Sequence, residues 1–544
     1  MENQGASSQW RLILKKGKIW QNKVFVLELK NILIHMQKPF FISTAIDYVN
    51  ASPHLGHALE KVQADAIARY NRLLNADVFF LTGSDENSLK NVRAAEKQGI
   101  SVQEFVDRNT QKFKDLRDLL NLGLDDFIRT TESRHIKGVQ KLWQECDKRG
   151  DIYQDIYEGL YCVGCEAYLT GDDLENGLCP EHKTAPEQIK EKNWFFRLSK
   201  YQESIQKAID EGKLEIIPDG RRNEILSFLK QDLRDICISR SNERAKNWGI
   251  GVPGDDTQKV WCWFDALGNY ITALGYGGDE TNFQKYWQKG QALHIIGKGI
   301  SRFHAVYWLG ILLSAGLKIP DKIFIHGYIT VNGQKMSKSL GNVIDPFALV
   351  DKYAEKIGNR ETAIDAVRYF LLGAISPTED GDFTYEKFEE RYNADLANGI
   401  GNLVARVVTL AAKLKMKNEK VKTTIQNEKL KKTIEKTKKN YVQSLAEFKF
   451  NEALGAVWEL IGFCDKYVNE TKPWETGNEK IKMKNEKVVA DLLSALIEIA
   501  GLLKPFMPQT AEKILQQLAS RRSGIESGAS QPASPAKRGE PLFP

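Results

Sequence analysis

Two short apolar runs with a helix between them occupy residues 40–85, and this order constrains the fold more than any other feature of the chain. Phe40 to Ala45 is an apolar run that ends in small residues, and residues 55–74 place apolar side chains at helical spacing. A second apolar run, residues 78–81, leads into Thr82-Gly83-Ser84-Asp85. A strand, a helix and a second strand begin a parallel α/β unit, whose ligands bind at the carboxyl ends of the strands. The order therefore predicts a Rossmann-like parallel sheet with a ligand site at the loops after these strands.

The rest of the chain contains further units, because 544 residues are too many for one hydrophobic core and indicate three or four domains. A Cys-rich, loop-rich segment followed by helices interrupts the α/β pattern after about residue 150, and the pattern returns at residues 293–297 and 323–327. No strand pattern follows Tyr385, and the amphipathic periodicity of residues 393–518 predicts an all-α module. The tail from Arg521, rich in Ser, Gly, Pro and Ala, is predicted to be disordered.

The composition is that of an ordinary globular protein, with 42% hydrophobic and 27% charged residues. No apolar run approaches the ~20 residues that a membrane span requires. The apolar stretch 24–34 is broken by Glu28 and Lys30 and lacks a cleavage site, so we expect no signal peptide and a cytoplasmic protein. Residues 1–35 are basic and are either an added arm or a stretch upstream of the true translation start at Met36; the sequence favours the second.

The net charge of +6 is unevenly distributed along the chain. Residues 411–440 contain eleven lysines and three glutamates, a local excess of eight positive charges. Such a run is either the solvated face of a helix or an electrostatic footprint for nucleic acid, and composition alone leaves both interpretations open.

Two lysines, Lys335 and Lys338, stand three residues apart between Gly333 and Gly341. Lysine is a compact charge on a flexible stem, and flanking glycines permit reorientation, so the pair could grip a polyphosphate and release it again. A solvated turn is the alternative, because most charge runs are surface features.

Two histidines, His54 and His57, lie at the start of the first helix with Gly56 between them. Glycine permits close approach of a nucleotide to the backbone, the helix N-terminus favours anions, and imidazoles can donate hydrogen bonds to phosphate oxygens in phosphoryl transfer. The alternative is that the pair only caps the helix. The presence of the lysine pair later in the chain favours the phosphate interpretation.

The cysteines predict a metal site and no disulfide framework, since seven is an odd number in a large chain without a signal peptide. Cys162 and Cys165 form a CxxC pair, and Cys179 and His182 form a CxxH pair after thirteen intervening residues. Four such ligands in two knuckle turns predict one structural, tetrahedral Zn²⁺. Redox pairs or unrelated buried thiols are the alternative. The other cysteines show no such spacing and are expected in the core: Cys146, Cys237, Cys262 and Cys464.

The HLGH motif at residues 54–57 and the KMSKS motif at residues 335–339 together resemble the signature pair of class I aminoacyl-tRNA synthetases. The surrounding sequence from about residue 38 to residue 518 resembles the methionyl-tRNA synthetase family. The segments that carry this resemblance are residues 45–50 (AIDYVN), 81–86 (LTGSDE), 263–266 (WFDA) and 472–474 (KPW), together with Gly297-Lys298, Ile300 and Arg302-Phe303-His304. The resemblance implies a methionine–tRNA ligase that forms methionyl-adenylate, AMP and pyrophosphate. Its implied partners are ATP with Mg²⁺, L-methionine and tRNA(Met), and we expect a monomer.

The resemblance also implies roles for individual residues. His54, His57, Lys335 and Lys338 would be catalytic. The residues that would bind ATP are His54, Gly56, His57, Gly297, Lys335, Ser337 and Lys338. Asp85 would receive the ammonium group of methionine, within a pocket of Ile46, Tyr48, Trp263, Ala266, Tyr270, Ile300 and His304. In the helical module the residues that would read the anticodon are Asn402, Arg406 and Trp474, and the zinc site would lie in the connective insertion.

The chain departs from the family pattern at two places. Asn87-Ser88 stands where the family usually has His-Gly, and Gly299 replaces an Asp that commonly follows Gly-Lys and helps to hold the ATP ribose.

Three other functions share part of the pattern. Another class I synthetase would share both motifs, although residues 151–240 are too few for a large editing domain. A small nucleotidylyltransferase would not need the helical module, and a catalytically inactive tRNA-binding paralogue would not need both histidines and both lysines.

The predicted architecture is thus a Rossmann-like α/β catalytic domain with a zinc-bearing connective insertion, plus an all-α anticodon-binding domain. The predicted boundaries are 1–37 for a poorly ordered extension, 38–150 and 241–320 for the two halves of the catalytic domain, 151–240 for the insertion, 321–387 for the KMSKS loop domain, 388–520 for the helical domain and 521–544 for the tail.

Overall fold

The fold is described from a computed structural model, which describes residues 38–336, 341–414, 425–519 and 541–544. Several sequence-based expectations fall outside these ranges. They concern residues 1–37 with the alternative start at Met36, the loop residues Ser337 and Lys338, part of the basic run 411–440, and most of the tail. Within the described ranges, no helix is both long and apolar enough to cross a membrane.

Seventeen strands are described. In chain order they are β1 (Phe40–Thr44), β2 (Asp47–Tyr48), β3 (Val78–Asp85), β4 (Asp126–Arg129), β5 (Ile152–Cys162), β6 (Ala167–Leu169), β7 (Glu187–Phe196), β8 (Glu215–Ile217), β9 (Ile236–Cys237), β10 (Ser239–Ser241), β11 (Gly251–Val252), β12 (Asp255–Val260), β13 (Gln291–Gly297), β14 (Lys322–His326), β15 (Ile329–Val331), β16 (Gln334–Lys335) and β17 (Gly381–Phe383).

The described α-helices are α1 (Leu55–Leu73), α2 (Leu89–Gln98), α3 (Val102–Leu119), α4 (Ser133–Lys148), α5 (Gln202–Asp210), α6 (Asp219–Leu229), α7 (Cys262–Thr272), α8 (Trp308–Ser314), α9 (Pro346–Ile357), α10 (Arg360–Gly373), α11 (Tyr385–Arg391), α12 (Asn402–Lys413), α13 (Glu428–Ala446), α14 (Phe450–Thr471), α15 (Glu479–Leu503) and α16 (Pro508–Ala519). A one-turn π-helix, Phe303–Tyr307, precedes α8.

The central sheet has seven strands, ordered β2-β3-β1-β13-β14-β8 with β4 also paired to β3, and every pair is parallel. Its middle strands are apolar because both of their faces are buried, as in other parallel sheets. Strand β1 pairs with β3 on one side and with β13 on the other. The strand order therefore reverses at β1, which makes this position a topological switch point. The carboxyl ends of strands at such a point form a crevice where ligands bind. The predicted Rossmann-like parallel sheet is confirmed.

The structure differs from the sequence interpretation in residues 151–240. This segment forms an antiparallel sheet, ordered β6-β5-β7-β9, in which β5 and β7 pair along ten residues. The sequence predicts a Cys-rich, loop-rich segment here. The middle of β5 is exposed, and its sequence has no strong two-residue alternation that would predict a strand. The central sheet also extends past the predicted boundaries, since β8 lies within 151–240 and β14 lies beyond residue 320.

A buried guanidinium joins the C-terminal helices to the catalytic sheet. Arg368 on α10 is fully buried and donates to the carbonyl oxygens of Leu120, Pro505 and Phe506. It also pairs with the carboxylate of Asp65 on α1, at 2.7 Å. Because a buried charge requires such complete pairing, these contacts fix the position of the helical module against the sheet.

The last four residues, 541–544, pack against the helical module. Leu542 and Phe543 are buried, the ring of Phe543 meets Tyr392 edge to face, and the Tyr392 hydroxyl donates to the carbonyl oxygen of Pro544 at 3.0 Å. This differs from the disordered tail that the composition of residues 521–544 indicates, because the tail ends in apolar residues that can be buried.

Candidate active site

A cavity of about 1910 Å³ opens at the carboxyl ends of the central strands. Thirteen residues with predicted roles in binding ATP or methionine line it: Ile46, Tyr48, His54, Gly56, His57, Asp85, Trp263, Ala266, Tyr270, Gly297, Ile300, His304 and Lys335. The other two with such predicted roles, Ser337 and Lys338, lie outside the described residues. The fold therefore gathers segments that are more than 280 residues apart in the chain at one crevice.

The two histidines cap helix α1 through one ring nitrogen each. The N–H of Gly56 donates to Nδ1 of His54, and the N–H of His54 donates to Nδ1 of His57. A ring whose Nδ1 accepts a hydrogen bond carries its proton on Nε2 when it is neutral. Burial, together with the nearby ammonium of Lys61, lowers the pKa of His57 to about 3, so this ring is neutral at physiological pH. Capping therefore uses Nδ1 of each ring, and Nε2 of His57 lies 3.8 Å from Oδ1 of Asp47.

The lysine of the KMSKS motif contacts the cysteine-rich segment. Nζ of Lys335 lies 2.7 Å from Oε2 of Glu181 and 4.9 Å from the centre of the Tyr328 ring. Both members of the ion pair are exposed, and exposed pairs of this kind contribute about 0.2–1 kcal/mol. A polyphosphate can therefore replace Glu181 as the partner of Lys335 at little cost.

The carboxylate of Asp85 is buried and incompletely paired. Its Oδ1 atom has no hydrogen-bond partner among the described residues. Burial raises the pKa of Asp85 well above its ordinary value, and the carboxylates of Asp265 and Glu166 raise it further. An ionised carboxylate in such a place needs a cationic partner, and a primary ammonium group would supply one.

Beside Asp85 lies a largely aromatic pocket. The rings of Trp263 and Phe303 stack with centroids 3.8 Å apart, and Tyr48 meets Trp263 edge to face at 6.4 Å. Such surfaces favour an apolar, polarizable ligand group, including a thioether.

The floor of this pocket is fixed by a hydrogen-bonded histidine. Nδ1–H of His304 donates to the carbonyl oxygen of Ile300, and its Nε2 accepts from the hydroxyl of Tyr270 at 2.7 Å. Burial lowers the pKa of His304 to about 4, so the ring is neutral and keeps this one arrangement.

Sequence reasoning missed three residues of the cavity region. Phe303 stacks on Trp263, His294 lies under Tyr270 with centroids 4.0 Å apart, and Tyr328 lies beside Lys335. His294 is a single histidine in an otherwise apolar strand, and this isolation is the one signal that could have identified it. Phe303 and Tyr328 resemble ordinary core aromatics, and only their partners show where they lie.

The residues of the predicted metal site converge. One ligand atom from each of Cys162, Cys165, Cys179 and His182 lies within 4.8 Å of the other three, and Sγ of Cys165 lies 3.5 Å from Sγ of Cys179. Tetrahedral Zn–S bonds of about 2.3 Å would place two sulfurs about 3.8 Å apart, so the arrangement fits such a metal. A Cβ on Gly164 would lie 2.3 Å from Cγ of His182, which explains the glycine in the first knuckle. This Cys₃His cluster could hold a metal ion.

The cluster is linked directly to the aromatic pocket. The indole N–H of Trp263 donates to the carbonyl oxygen of Cys165 at 3.1 Å. The remaining cysteines are buried and outside the cluster, as expected for core residues: Cys146, Cys237, Cys262 and Cys464.

The residues with a predicted role in anticodon binding lie in the helical module. Asn402 and Arg406 are one turn apart on α12, and Arg406 forms hydrogen bonds with Asp465 and Asn469 of α14. Trp474 follows α14 and is 46% exposed. An indole with this exposure is unusual for a core residue and is available as a stacking surface for a base.

The departure from the family pattern at residue 87 has a structural explanation. The side-chain amide of Asn87 donates to Oδ2 of Asp265 at 2.7 Å and to the carbonyl oxygen of Thr130. The other oxygen of Asp265 contacts Nε2 of His135 at 2.6 Å. Asn87 therefore connects the loop after β3 to helix α7, which carries Trp263.

Comparisons with known proteins agree with this geometry. A family model described as tRNA synthetases class I (M) matches residues 40–188 and 165–408, and a second, described as anticodon-binding domain of tRNA ligase, matches residues 427–538. Among curated proteins, the chain is 40% identical over 516 residues to the methionine–tRNA ligase of Thermotoga maritima, covering 93% of this chain and 80% of that protein. It is also 40% identical over 489 residues to the methionine–tRNA ligase of Fusobacterium nucleatum, covering 89% and 75% of the two chains.

A solved structure gives the same result. The methionyl-tRNA synthetase of Mycobacterium tuberculosis in complex with methionyl-adenylate superposes with a TM-score of 0.81 at 34% identity, covering 93% of this chain and 100% of that one. The resemblance predicted from the two signature motifs is thereby confirmed. The chain belongs to the methionine–tRNA ligases, a family of class I aminoacyl-tRNA synthetases.

Proposed function

We propose that this chain activates L-methionine with ATP and transfers it to tRNA(Met). The observation that carries the proposal is the convergence, in one cavity, of the histidine pair, Lys335, the buried carboxylate of Asp85 and the aromatic pocket. The methionine carboxylate attacks the α-phosphate of ATP and pyrophosphate leaves, giving methionyl-adenylate. The terminal ribose of the tRNA then attacks the activated carbonyl and AMP leaves. Neither step needs a covalent enzyme intermediate.

The first step is supported by groups that stabilise charge on the phosphates. The imidazoles of His54 and His57 donate hydrogen bonds to phosphate oxygens, and the neutral ring of His57 acts as a donor and not as a fixed charge. Lys335 exchanges Glu181 for the leaving phosphates. Lys338 and Ser337 of the same motif act with it, and Mg²⁺ bound to ATP would supply further positive charge to the phosphates. The backbone at Gly56 and Gly297 permits close approach of the nucleotide.

Methionine binds with its two ends in different surroundings. Its ammonium pairs with Asp85, which the cavity holds ready as an incompletely paired acceptor. Its thioether enters the aromatic pocket, where sulfur and ring edges attract each other by about 0.3–1.5 kcal/mol per contact. The residues that we assign to this pocket are Ile46, Tyr48, Trp263, Ala266, Tyr270, Ile300 and His304.

We assign the metal of the Cys₃His cluster as a single structural Zn²⁺. All four ligand positions come from the protein, so no position remains open for a substrate. The indole N–H of Trp263 donates to the carbonyl oxygen of Cys165. The knuckle therefore also helps to orient the indole of the methionine pocket.

We assign recognition of the tRNA to the helical module. We assign anticodon binding to Asn402, Arg406 and Trp474, because unpaired bases bind aromatic platforms and planar donors.

The proposal also includes a monomeric enzyme that works in the cytoplasm, where translation takes place. The whole assignment is supported by the 40% identity to methionine–tRNA ligases.

Exchange of pyrophosphate into ATP tests the proposal. The purified protein is incubated with radiolabelled pyrophosphate, ATP, Mg²⁺ and one amino acid at a time, including methionine, cysteine, leucine, isoleucine and valine. We expect strong exchange with methionine alone. Equal exchange with another amino acid would indicate a different synthetase, and no exchange with any of them would indicate an inactive paralogue.

A further inference from the structure

Gly299 and Tyr328 lie against each other in the wall of the cavity. A Cβ atom on residue 299 would lie 2.1 Å from the hydroxyl oxygen of Tyr328, and the next nearest atom, Cζ of the same ring, would lie at 3.4 Å. Gly299 does not have a positive φ angle, so its backbone conformation is open to any residue. The glycine is therefore required by the position of the Tyr328 hydroxyl and not by the turn itself.

Two ammonium groups lie close to the Tyr328 ring. Nζ of Lys298 lies 4.7 Å and Nζ of Lys335 4.9 Å from the ring centre. The backbone N–H of Tyr328 donates to Asp380 at 2.8 Å, and the same carboxylate binds Lys298 through both oxygens. The ring thus keeps a fixed place among cavity residues that include His54 and Lys335.

The chemistry of the hydroxyl selects its ligand. Burial raises the pKa of the Tyr328 hydroxyl, as does the carboxylate of Glu181, and a hydrogen bond with the backbone of Gly299 opposes part of this rise. The group is therefore a neutral phenol that can both donate and accept. The two neighbouring ammonium groups suit phosphates, whereas a neutral donor and acceptor suits the paired hydroxyls of a ribose.

We propose that Tyr328 is a nucleotide-binding residue of this chain, whose hydroxyl contacts the ribose of ATP in the space that Gly299 leaves open. The inference rests on the proposed function, since it requires ATP in this cavity. It assigns the ribose contact to a residue 29 positions away from the one that commonly provides it in the family.

The test compares the wild-type enzyme with Tyr328→Phe in methionine-dependent pyrophosphate exchange. Loss of one hydrogen bond predicts that KM for ATP rises about 3- to 10-fold while KM for methionine is unchanged. The diagnostic measurement repeats both assays with 2′-deoxy-ATP and 3′-deoxy-ATP. We expect the wild-type enzyme to prefer ATP over at least one of these, and Tyr328→Phe to lose that preference. A tyrosine that served only as packing would not change this ratio.

Two further variants complete the design. Tyr307→Phe removes a different hydroxyl from the same cavity and should leave the preference for ATP unchanged. Gly299→Ala should raise KM for ATP at least as much as Tyr328→Phe, because the new Cβ displaces the hydroxyl. The double variant Gly299→Ala/Tyr328→Phe should be no worse than either single variant, since the clash then disappears.

The possible failures can be told apart. If the wild-type protein gave no exchange with methionine, the proposed function itself would be wrong. If exchange were normal and Tyr328→Phe kept the wild-type preference for ATP over both deoxynucleotides, the assignment of Tyr328 would be overturned. Fully additive effects of the two substitutions would overturn the steric coupling on which it depends.

Discussion

At the scale of single residues, Asp85 shows most clearly how the protein uses an unfavourable group. A buried carboxylate with an unpaired oxygen destabilises the empty protein, and its raised pKa is the measurable sign of this cost. A cationic ligand would relieve it. A cationic ligand bound at Asp85 would therefore bind with an affinity that depends on pH.

We expect Asp85→Asn to raise KM for methionine by at least about tenfold, because truncating a charge-assisted hydrogen bond removes about 1.5–3 kcal/mol. In the unsubstituted protein the raised pKa means that Asp85 takes up a proton as the pH falls, and the protonated form cannot pair with an ammonium. Methionine affinity should therefore decrease as the pH is lowered through the pKa of Asp85. Titration calorimetry between pH 5 and 8 measures both effects.

The matched control is Asp172→Asn, which changes an exposed carboxylate on the rim of the same cavity. This variant should keep the wild-type affinity and its pH dependence. Retention of the full pH dependence in Asp85→Asn would show that another group titrates in its place.

At the scale of secondary-structure elements, the N-terminus of α1 has two roles that can be separated. Asparagine is a good N-cap, so His54→Asn should preserve the helix while removing the imidazole. We expect a Tm close to that of the wild type and a pyrophosphate exchange rate lower by about 10²–10³, the usual effect of losing a donor to a transition state. Thermal unfolding and exchange assays on the same preparation check this.

His54→Ala is the comparison, because alanine neither caps the helix nor donates to phosphate. The pyrophosphate exchange rate of His54→Ala should fall by the same factor as that of His54→Asn. Its free energy of unfolding should also decrease by about 0.5–2 kcal/mol. If His54→Asn were as active as the wild type, His54 would be a cap and nothing more.

The knuckle between β5 and β7 gives a second prediction at this scale. Cys165→Ser should abolish binding of one Zn²⁺ per chain and disturb Trp263, because the indole donates to the backbone of Cys165. We expect metal analysis to show the loss and the tryptophan emission spectrum to shift. Cys237→Ser, a buried cysteine outside the cluster, should keep its zinc. Full metal content in Cys165→Ser would show that the cluster is not the zinc site.

At the scale of the whole molecule, Arg368 links the helical module to the catalytic domain, because it pairs with Asp65 of α1 and donates to the carbonyl oxygens of Pro505 and Phe506. A tRNA that binds with its anticodon at α12 and α14 could then present its other end to the cavity at a defined distance. Amino acid activation and tRNA recognition would use separate parts of one rigid arrangement.

Trp474→Ala tests this separation. We expect the rate of pyrophosphate exchange to stay within about twofold of the wild type, while KM for tRNA(Met) in aminoacylation rises about 5- to 100-fold, the effect of losing one base stack of about 1–3 kcal/mol. Ile497→Ala, a second exposed hydrophobic residue of the helical module, is the control and should change neither assay. Equal loss in both assays would mean that Trp474 supports the fold instead of the tRNA.

Local patterns were sufficient wherever function depends on residues close together in the chain. The spacing of His54 and His57 and that of the Cys₃His ligands predicted their proximity, because a helix turn and a knuckle turn fix the distances between neighbouring residues. The parallel sheet also followed from local apolar runs, and its presence is confirmed.

The sequence by itself thus determined the family, the parallel α/β unit of residues 40–85 and the short motifs, since these depend on periodicity and spacing that a few residues fix. Tertiary structure alone decided how distant residues meet: the stacking of Phe303 on Trp263, the hydrogen bond of Asn87 to Asp265, and the Tyr328 hydroxyl against Gly299. It also decided that β5 and β7 pair along ten residues, because pairing with a partner strand stabilises residues whose own pattern is weak. Contacts between remote segments depend on the packing of the complete chain, and no short stretch of sequence contains that information.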